Sequence, residues 1–233
     1  MFNNIKNRFF YLYNYRIKKI FFLYNYFGKE INIDWDKLPL NRINLINTII
    51  AKFKLRNYLE IGCQNDFLFN QVKIADKTGV DPISGGTIRL TSDDFFRQNK
   101  KSFDIIFIDG LHEYKQLRRD VINSFNSINE NGWILIHDLI PRNWLEEHVP
   151  RINGNWCGDI WKISFELMQI KELDFHIVLI DMGVGLIKVN KNKIKLNNDF
   201  NYLSKKKFSY FFENFNILPK KNHHEILEWI SRF

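Results

Sequence analysis

Four acids stand at the ends of short apolar runs in this chain of 233 residues. Tyr58-Leu59-Glu60-Ile61 runs into Gly62, Thr78-Gly79-Val80 into Asp81, Phe103 to Ile108 into Asp109, and Trp133 to Ile136 into His137-Asp138. Buried strands need no carboxylate at their ends, and carboxylates gathered together lose hydration. Ligands of open parallel sheets bind beyond the carboxyl ends of the strands. Four acids brought to one rim therefore predict a site, although any one of them could instead cap a helix or solvate a loop. His112, three residues beyond Asp109, falls at the same rim and could act as a general base.

Glu60 to Asp81 spans one strand–helix–strand step. A glycine turn after the first strand, with an acid ending the second, is how nucleoside ribose hydroxyls are held. That pattern alone would serve a dinucleotide as well. The G-x-G-x-x-G fingerprint is incomplete, because Gly62 is followed by Cys63, Gln64, Asn65 and Asp66. A pyrophosphate needs close backbone approach and a helix N-terminus free of acid. Asp66 therefore argues against a phosphate ligand, and a cofactor carrying a cationic sulfonium tolerates it.

The elements that must position these residues follow from hydrophobic period. Ile43, Leu45, Ile46, Ile49 and Ile50 suit a helix over 41–54. Helices are also expected over 66–74, from Ser92 onward with Ser92 or Asp93 at its start, over 113–128, over 159–169 and over 223–232. The run 103–109 is nearly continuously apolar, as a buried parallel strand is. Strands near 175–181 and 184–189 are joined too tightly for a helical crossover and predict an antiparallel hairpin. Strands alternating with helices predict an α/β fold, a doubly wound, mostly parallel sheet ending in that hairpin.

Composition narrows the function classes. The net charge is +8, but much of it is peripheral: Lys6, Arg8, Arg16, Lys18 and Lys19 at the start, then 188–195, 205–207, Lys220 and Lys221. That distribution argues against a nucleic-acid surface. Cys63 and Cys157 are too few for a disulfide framework, which favours a reducing, cytoplasmic location. No run reaches the roughly 18–20 apolar residues of a membrane span. The chain divides into a basic, aromatic arm over 1–40, a main domain over 41–190 and an extension over 191–233. Residues 1–30 have three readings: a helix packed on the domain, a partner-binding arm, or an interfacial membrane helix giving a membrane-peripheral protein. A homo-oligomer stays open.

The motifs together resemble a known family. Tyr58 to Gly62 is similar to motif I of class I S-adenosylmethionine-dependent methyltransferases, and Gly79-Val80-Asp81-Pro82 to motif II. Phe103 to Asp109 with Gly110-Leu111-His112-Glu113-Tyr114 resembles the F-I-D-G-x-H-x-Y signature of bacterial small-molecule methyltransferases related to macrocin O-methyltransferase. Asn131 to Asp138 resembles that group's next strand, ending in H-D, and Gly158-Asp159-Ile160-Trp161-Lys162 a recurring block. The resemblance covers about 42–190 and departs at Asn65-Asp66, where a further glycine is common.

The resemblance implies a Rossmann-like, seven-stranded fold and roles for the rim. Glu60 and Gly62 would contact the methionine end of the cofactor, with Cys63 packed beside it. Asp81, followed by Pro82, would accept from both ribose hydroxyls. Ser92 or Asp93 would sit near the adenine, with Asp109 and Gly110 completing the cofactor site. Relatives that use a metal imply Mg²⁺ on Asp109 and Asp138, with His137 as a further ligand. Asp109 and His112 would be catalytic. The reaction expected is methylation of a small-molecule hydroxyl, such as that of a sugar. Tyr114 and Trp161 are candidates to line the acceptor pocket, and Arg142, Asn143 and Lys162 to bind an anionic acceptor group. The competing readings are an N-methyltransferase, a metal-independent enzyme, a degenerate binding module and, last, an NAD oxidoreductase.

Overall fold

A computed structural model describes residues 2–152, 154–171, 173–190, 196 and 198–233. The basic positions 191, 193 and 195 of the late lysine run lie outside the described residues, as does Met1 of the arm. In chain order the elements begin with α1 (Phe2–Asn25), α2 (Arg42–Phe53), β1 (Asn57–Ile61), α3 (Phe67–Gln71) and β2 (Asp76–Val80). Next come α4 (Ser92–Gln98), β3 (Phe103–Ile108), α5 (Tyr114–Ser127), β4 (Ile128–Ile136), α6 (Trp144–Glu147) and α7 (Lys162–Leu167). The chain finishes with β5 (Asp174–Val178), β6 (Val184–Lys188), α8 (Phe208–Asn214), β7 (Lys220–Lys221) and α9 (His223–Ser231).

Among the described residues the strands form one seven-stranded sheet in the order β2-β1-β3-β4-β6-β5-β7. β2, β1, β3 and β4 are parallel neighbours, and β6 runs antiparallel to both β4 and β5. The Rossmann-like, doubly wound sheet with its antiparallel hairpin is therefore observed. Side-chain alternation divides the core between two faces. Leu59, Ile61, Ile106 and Ile108 join one apolar cluster, which α5 and α7 cover with Val121, Phe125, Ile163 and Phe165. Tyr58, Ile105 and Phe107 join the other, with Ile46, Ile49 and Ile50 of α2 and Trp229 of α9.

Several local expectations shift for physical reasons. The helix expected over 66–74 is only Phe67–Gln71, led by Asp66 in a left-handed conformation. Thr91, not Ser92, caps α4, accepting from the Asp94 N–H at 3.1 Å. β4 starts at Ile128, before the expected Asn131-Gly132 entry. Its register against β3 slips between Phe103 and Ile105, and Asn131 takes a positive φ within the irregularity. The helix expected over 159–169 narrows to Lys162–Leu167. The tail beyond 190, obscure in sequence, adds β7 beside β5 and caps α9 with a reciprocal Asn222–Glu225 box.

α1 lies on the body through Phe22, and Tyr26 just past its end does the same. Tyr26 stacks on Trp144 with ring centres 5.4 Å apart. Among the described residues no helix is long and apolar enough to cross a membrane.

Candidate active site

The carboxyl ends of β1, β2, β3 and β4 are tied together by backbone. Gly62 N donates to Val80 O at 2.8 Å, Asp109 N to Ile61 O at 2.8 Å and His137 N to Ile108 O at 3.0 Å. The first residue past β1, β3 and β4 is thus held by the neighbouring strand, while Asp81 past β2 donates to Ile88 O at 3.2 Å, and a rim of polar side chains results. Above it lies a cavity of about 870 Å³. Gly62, Asp81, Pro82, Ser92, Asp93, Asp109, Gly110, His112, His137 and Asp138 all line it. A smaller cavity of about 530 Å³ opens at the amino ends of the parallel strands and holds none of these residues.

Two expected residues are not in the wall. Glu60 is 2 % exposed, and Tyr58 donates its hydroxyl to Glu60 Oε2 at 2.5 Å. Both lie on the same side of β1, because residues two apart in a strand share a face. Burial raises the Glu60 carboxyl to about 7 even though the Tyr58 hydrogen bond opposes the rise. Cys63 is also buried, and its thiol is pushed up chiefly by burial. Gly62 has a structural reason to be glycine: with φ +89°, an added Cβ would meet the Asp109 carbonyl oxygen at 2.1 Å. The left-handed positions in the following turn are Gln64 and Asp66, not Asn65. Asp66 Oδ1 accepts from Gly86 N at 2.6 Å, so the acid that departs from the family pattern pins the loop after β2.

Asp81 is held as an ionised acceptor. Its Oδ1 takes the Ile83 and Ser84 N–H groups at 2.8 and 2.9 Å, and its Oδ2 takes Gln64 N at 3.0 Å. Burial alone would raise this carboxyl, but the three N–H donors and Arg89 hold it below its ordinary value. Farther along, Gln116 Nε2 lies 3.0 Å from Ser92 Oγ, 3.2 Å from Asp93 Oδ1 and 3.0 Å from Asp120 Oδ1. Gln116 lines the cavity and was missed in sequence, where a polar residue in the first turn of a helix carries no signal.

The second cluster is built from β3, β4 and the β5–β6 turn. His137 Nδ1 is 3.2 Å from Asp109 Oδ1 and 3.2 Å from Asp138 Oδ1. His112 Nε2 is 3.2 Å from Asp109 Oδ1, and its Nδ1 is 2.8 Å from the Trp156 carbonyl oxygen. A carbonyl only accepts, so Nδ1 carries the proton. Asp138 adopts a left-handed backbone at φ 59°. That bend ends the alternation of β4, so consecutive residues His137 and Asp138 serve one site. Arg42 and Asp181, 139 residues apart, form an ion pair here, and Arg42 Nη1 is 3.4 Å from His137 Nε2. Burial would raise Asp109, but His137 and His112 hold it well below the carboxylate range. Burial would lower His137, yet Asp109 and Asp138 hold it well above its ordinary value.

These residues fit a divalent cation. One oxygen each of Asp109 and Asp138 and one nitrogen of His137 all lie within 4.8 Å of one another. Asp138 Oδ1 is buried and, among the described residues, lacks a hydrogen-bond donor of good geometry. Two carboxylate oxygens with one imidazole suit a hard cation such as Mg²⁺, with the nitrogen the less favoured donor.

Other candidates lie outside the wall of this cavity. Tyr114 gives its hydroxyl to Glu166, and Trp161 is fully buried against Phe211 at 5.2 Å. Arg142 forks onto Glu146, Asn143 caps α6, and Lys162 is buried on Asp159 at 2.7 Å. The cavity is lined in addition by Leu111, Arg151, Asn155 and Trp156. The Trp156 ring lies 5.1 Å from that of His112.

Residues 59–139 match the model of a family described as a methyltransferase domain. A candidate O-methyltransferase from Klebsiella pneumoniae aligns at 10 % identity over 69 % of this chain and 82 % of its own, with a TM-score of 0.53. Cofactor-bound Rv0187 from MTB aligns at 12 % identity over 70 % and 83 %, with a TM-score of 0.52. A Podospora anserina methyltransferase bound to SAH aligns at 18 % identity over 64 % and 78 %, with a TM-score of 0.48. No curated protein sequence matches this one. The matched segment runs from β1 to just past the end of β4 and so includes the polar rim of those four strands.

Proposed function

We propose that this chain transfers a methyl group from S-adenosylmethionine to a hydroxyl of a small molecule, with a divalent cation held by Asp109, Asp138 and His137. The observation that carries this reading is the convergence of two sets of residues on one cavity. Gly62, Asp81, Pro82, Ser92, Asp93 and Gly110 line it together with Asp109, His112, His137 and Asp138.

The cofactor supplies the methyl group as a sulfonium, and a bound cation supplies acidity to the acceptor hydroxyl. The protein's own part is positioning and proton transfer. Asp81, kept ionised and aimed by three N–H donors, is suited to accept from ribose hydroxyls. His112 would take the acceptor proton at Nε2 once Asp109 turns from that nitrogen to the cation and frees its lone pair, since Nδ1 is committed to the Trp156 carbonyl. Leu111, Arg151 and Trp156 give the acceptor side an apolar and cationic wall. Glu60 would act from behind the wall, through the β1 end that carries Gly62. The macrocin-related group is the subfamily this reading favours, on the sequence motifs alone.

The test is calorimetry with S-adenosylmethionine, followed by methyl-transfer assays on hydroxylated acceptors with and without EDTA. No cofactor binding by the folded chain would overturn the reading in favour of a binding module. A second reading, a metal-independent enzyme, is favoured by one observation. His137 already faces Asp109, Asp138 and Asp181, so an imidazolium there balances the acids without a metal. Activity that survives EDTA would select it.

A further inference from the structure

We propose that α1 is a docking surface for an anionic lipid bilayer, holding the methyltransferase domain at a membrane surface. α1 has two apolar sides. Phe22 is 6 % exposed and Tyr15 is half-buried against the core, so one side is used by the fold. Tyr13, Ile17, Ile20 and Tyr24, spaced four, three and four residues apart, form one stripe on the opposite side. Their exposures are 63, 45, 66 and 89 %. Phe21, Leu23 and Phe27 widen the exposed apolar area. Among the described residues, Tyr13, Ile17, Ile20 and Tyr24 join neither apolar cluster of the core, whereas Phe21 also touches Trp144, and a contiguous exposed stripe of this kind marks an interaction surface.

Charge identifies the occupant. The sequence of α1 contains Lys6, Arg8, Arg16, Lys18 and Lys19 and no acid. Arg16 is exposed beside the stripe and Lys19 is exposed at the edge of the packed side, whereas Lys18 turns inward to His148 at 3.1 Å. A second copy of the same helix would bring like charges together, which disfavours self-association. Lipid phosphates complement the basic flank while acyl chains take the apolar stripe, and Tyr rings suit the boundary between them. No described helix is long and apolar enough to span, so the helix lies in the plane of the surface.

The test is flotation of the full chain with vesicles of phosphatidylcholine alone, or of phosphatidylcholine and phosphatidylglycerol in equal parts. The chain floats with the anionic vesicles and binds neutral ones at least about tenfold more weakly. Arg16→Glu with Lys19→Glu, and separately Ile17→Ser with Ile20→Ser, each weaken anionic binding by at least about tenfold. Because all four side chains are exposed, circular dichroism and thermal unfolding stay unchanged. Failure to bind anionic vesicles, or binding indifferent to both pairs, would overturn the proposal. So would a dimer in sedimentation that Ile17→Ser with Ile20→Ser dissolves, since the stripe would then belong to a second copy.

Discussion

A Cβ on Gly158 would stand 1.7 Å from the carbonyl oxygen of His112. The two residues are in backbone contact although α5, β4 and α6 separate them in sequence. Next to Gly158, Asp159 Oδ1 accepts the Tyr114 N–H at 2.7 Å and so caps α5, whose own leading residue, Glu113, supplies no side-chain cap. The Gly158-Asp159 block thereby grips the loop that carries His112 from both sides.

Gly158→Ala tests that grip. With φ at +62° and the His112 carbonyl in the way, the substitution should cost roughly 1–3 kcal/mol. Urea unfolding measures the stability. Methyl transfer should fall further than the stability loss explains, because His112 moves.

Asp138→Asn and Asp109→Asn test the cation site. Calorimetry with Mg²⁺ or Mn²⁺ should show affinity reduced at least about 10- to 100-fold in either variant, since each removes a carboxylate ligand. Wild-type activity should disappear in EDTA and return on adding Mg²⁺. Equal cation affinity in wild type and both variants would remove Asp109 and Asp138 from the ligand set.

Asp81→Asn tests the ribose reading. The amide keeps the side chain's size but removes the charge that two ribose hydroxyls would meet. S-adenosylmethionine binding should weaken by about 1.5–3 kcal/mol, the range for hydrogen bonds to a charged group. The variant also loosens the donors from Gln64, Ile83 and Ser84. Thermal unfolding without cofactor therefore has to be measured alongside.

Glu147 predicts a pH dependence of stability. The residue is 5 % exposed, and burial raises its carboxyl from 4.5 to about 7, with Lys162 and the Trp161 N–H offsetting part of the rise. The folded chain keeps a proton that the unfolded chain releases, so stability falls as pH rises from about 4.5 to about 7 and levels off above. Glu147→Gln removes this contribution. Relative to wild type, the variant should gain up to about 3 kcal/mol between about pH 5 and about pH 8 in urea titrations. Glu60 at about 7 and Asp120 at about 6 add slopes of the same sign, so some pH dependence remains.

Much of the rim could be read from residues in order. Short, nearly continuous apolar runs ending in acids mark strands and their carboxyl ends, and the short link between strands near 175–181 and 184–189 requires an antiparallel pair, because both signals are local. Asp81, Asp109, His112, His137 and Asp138 all reach the cavity for that reason. Tertiary structure alone decided which neighbours face it. Strand alternation turns Glu60 under the sheet toward Tyr58, while a left-handed bend lets both His137 and Asp138 serve the site. Arg42 and Asp181 meet across 139 residues, and Trp156 reaches His112 from 44 residues away. Lys162 and Arg142 read as free cations in sequence but are spent on Asp159 and Glu146. Contacts between distant segments leave no local period to read; they exist only once the sheet has set which loops share a rim.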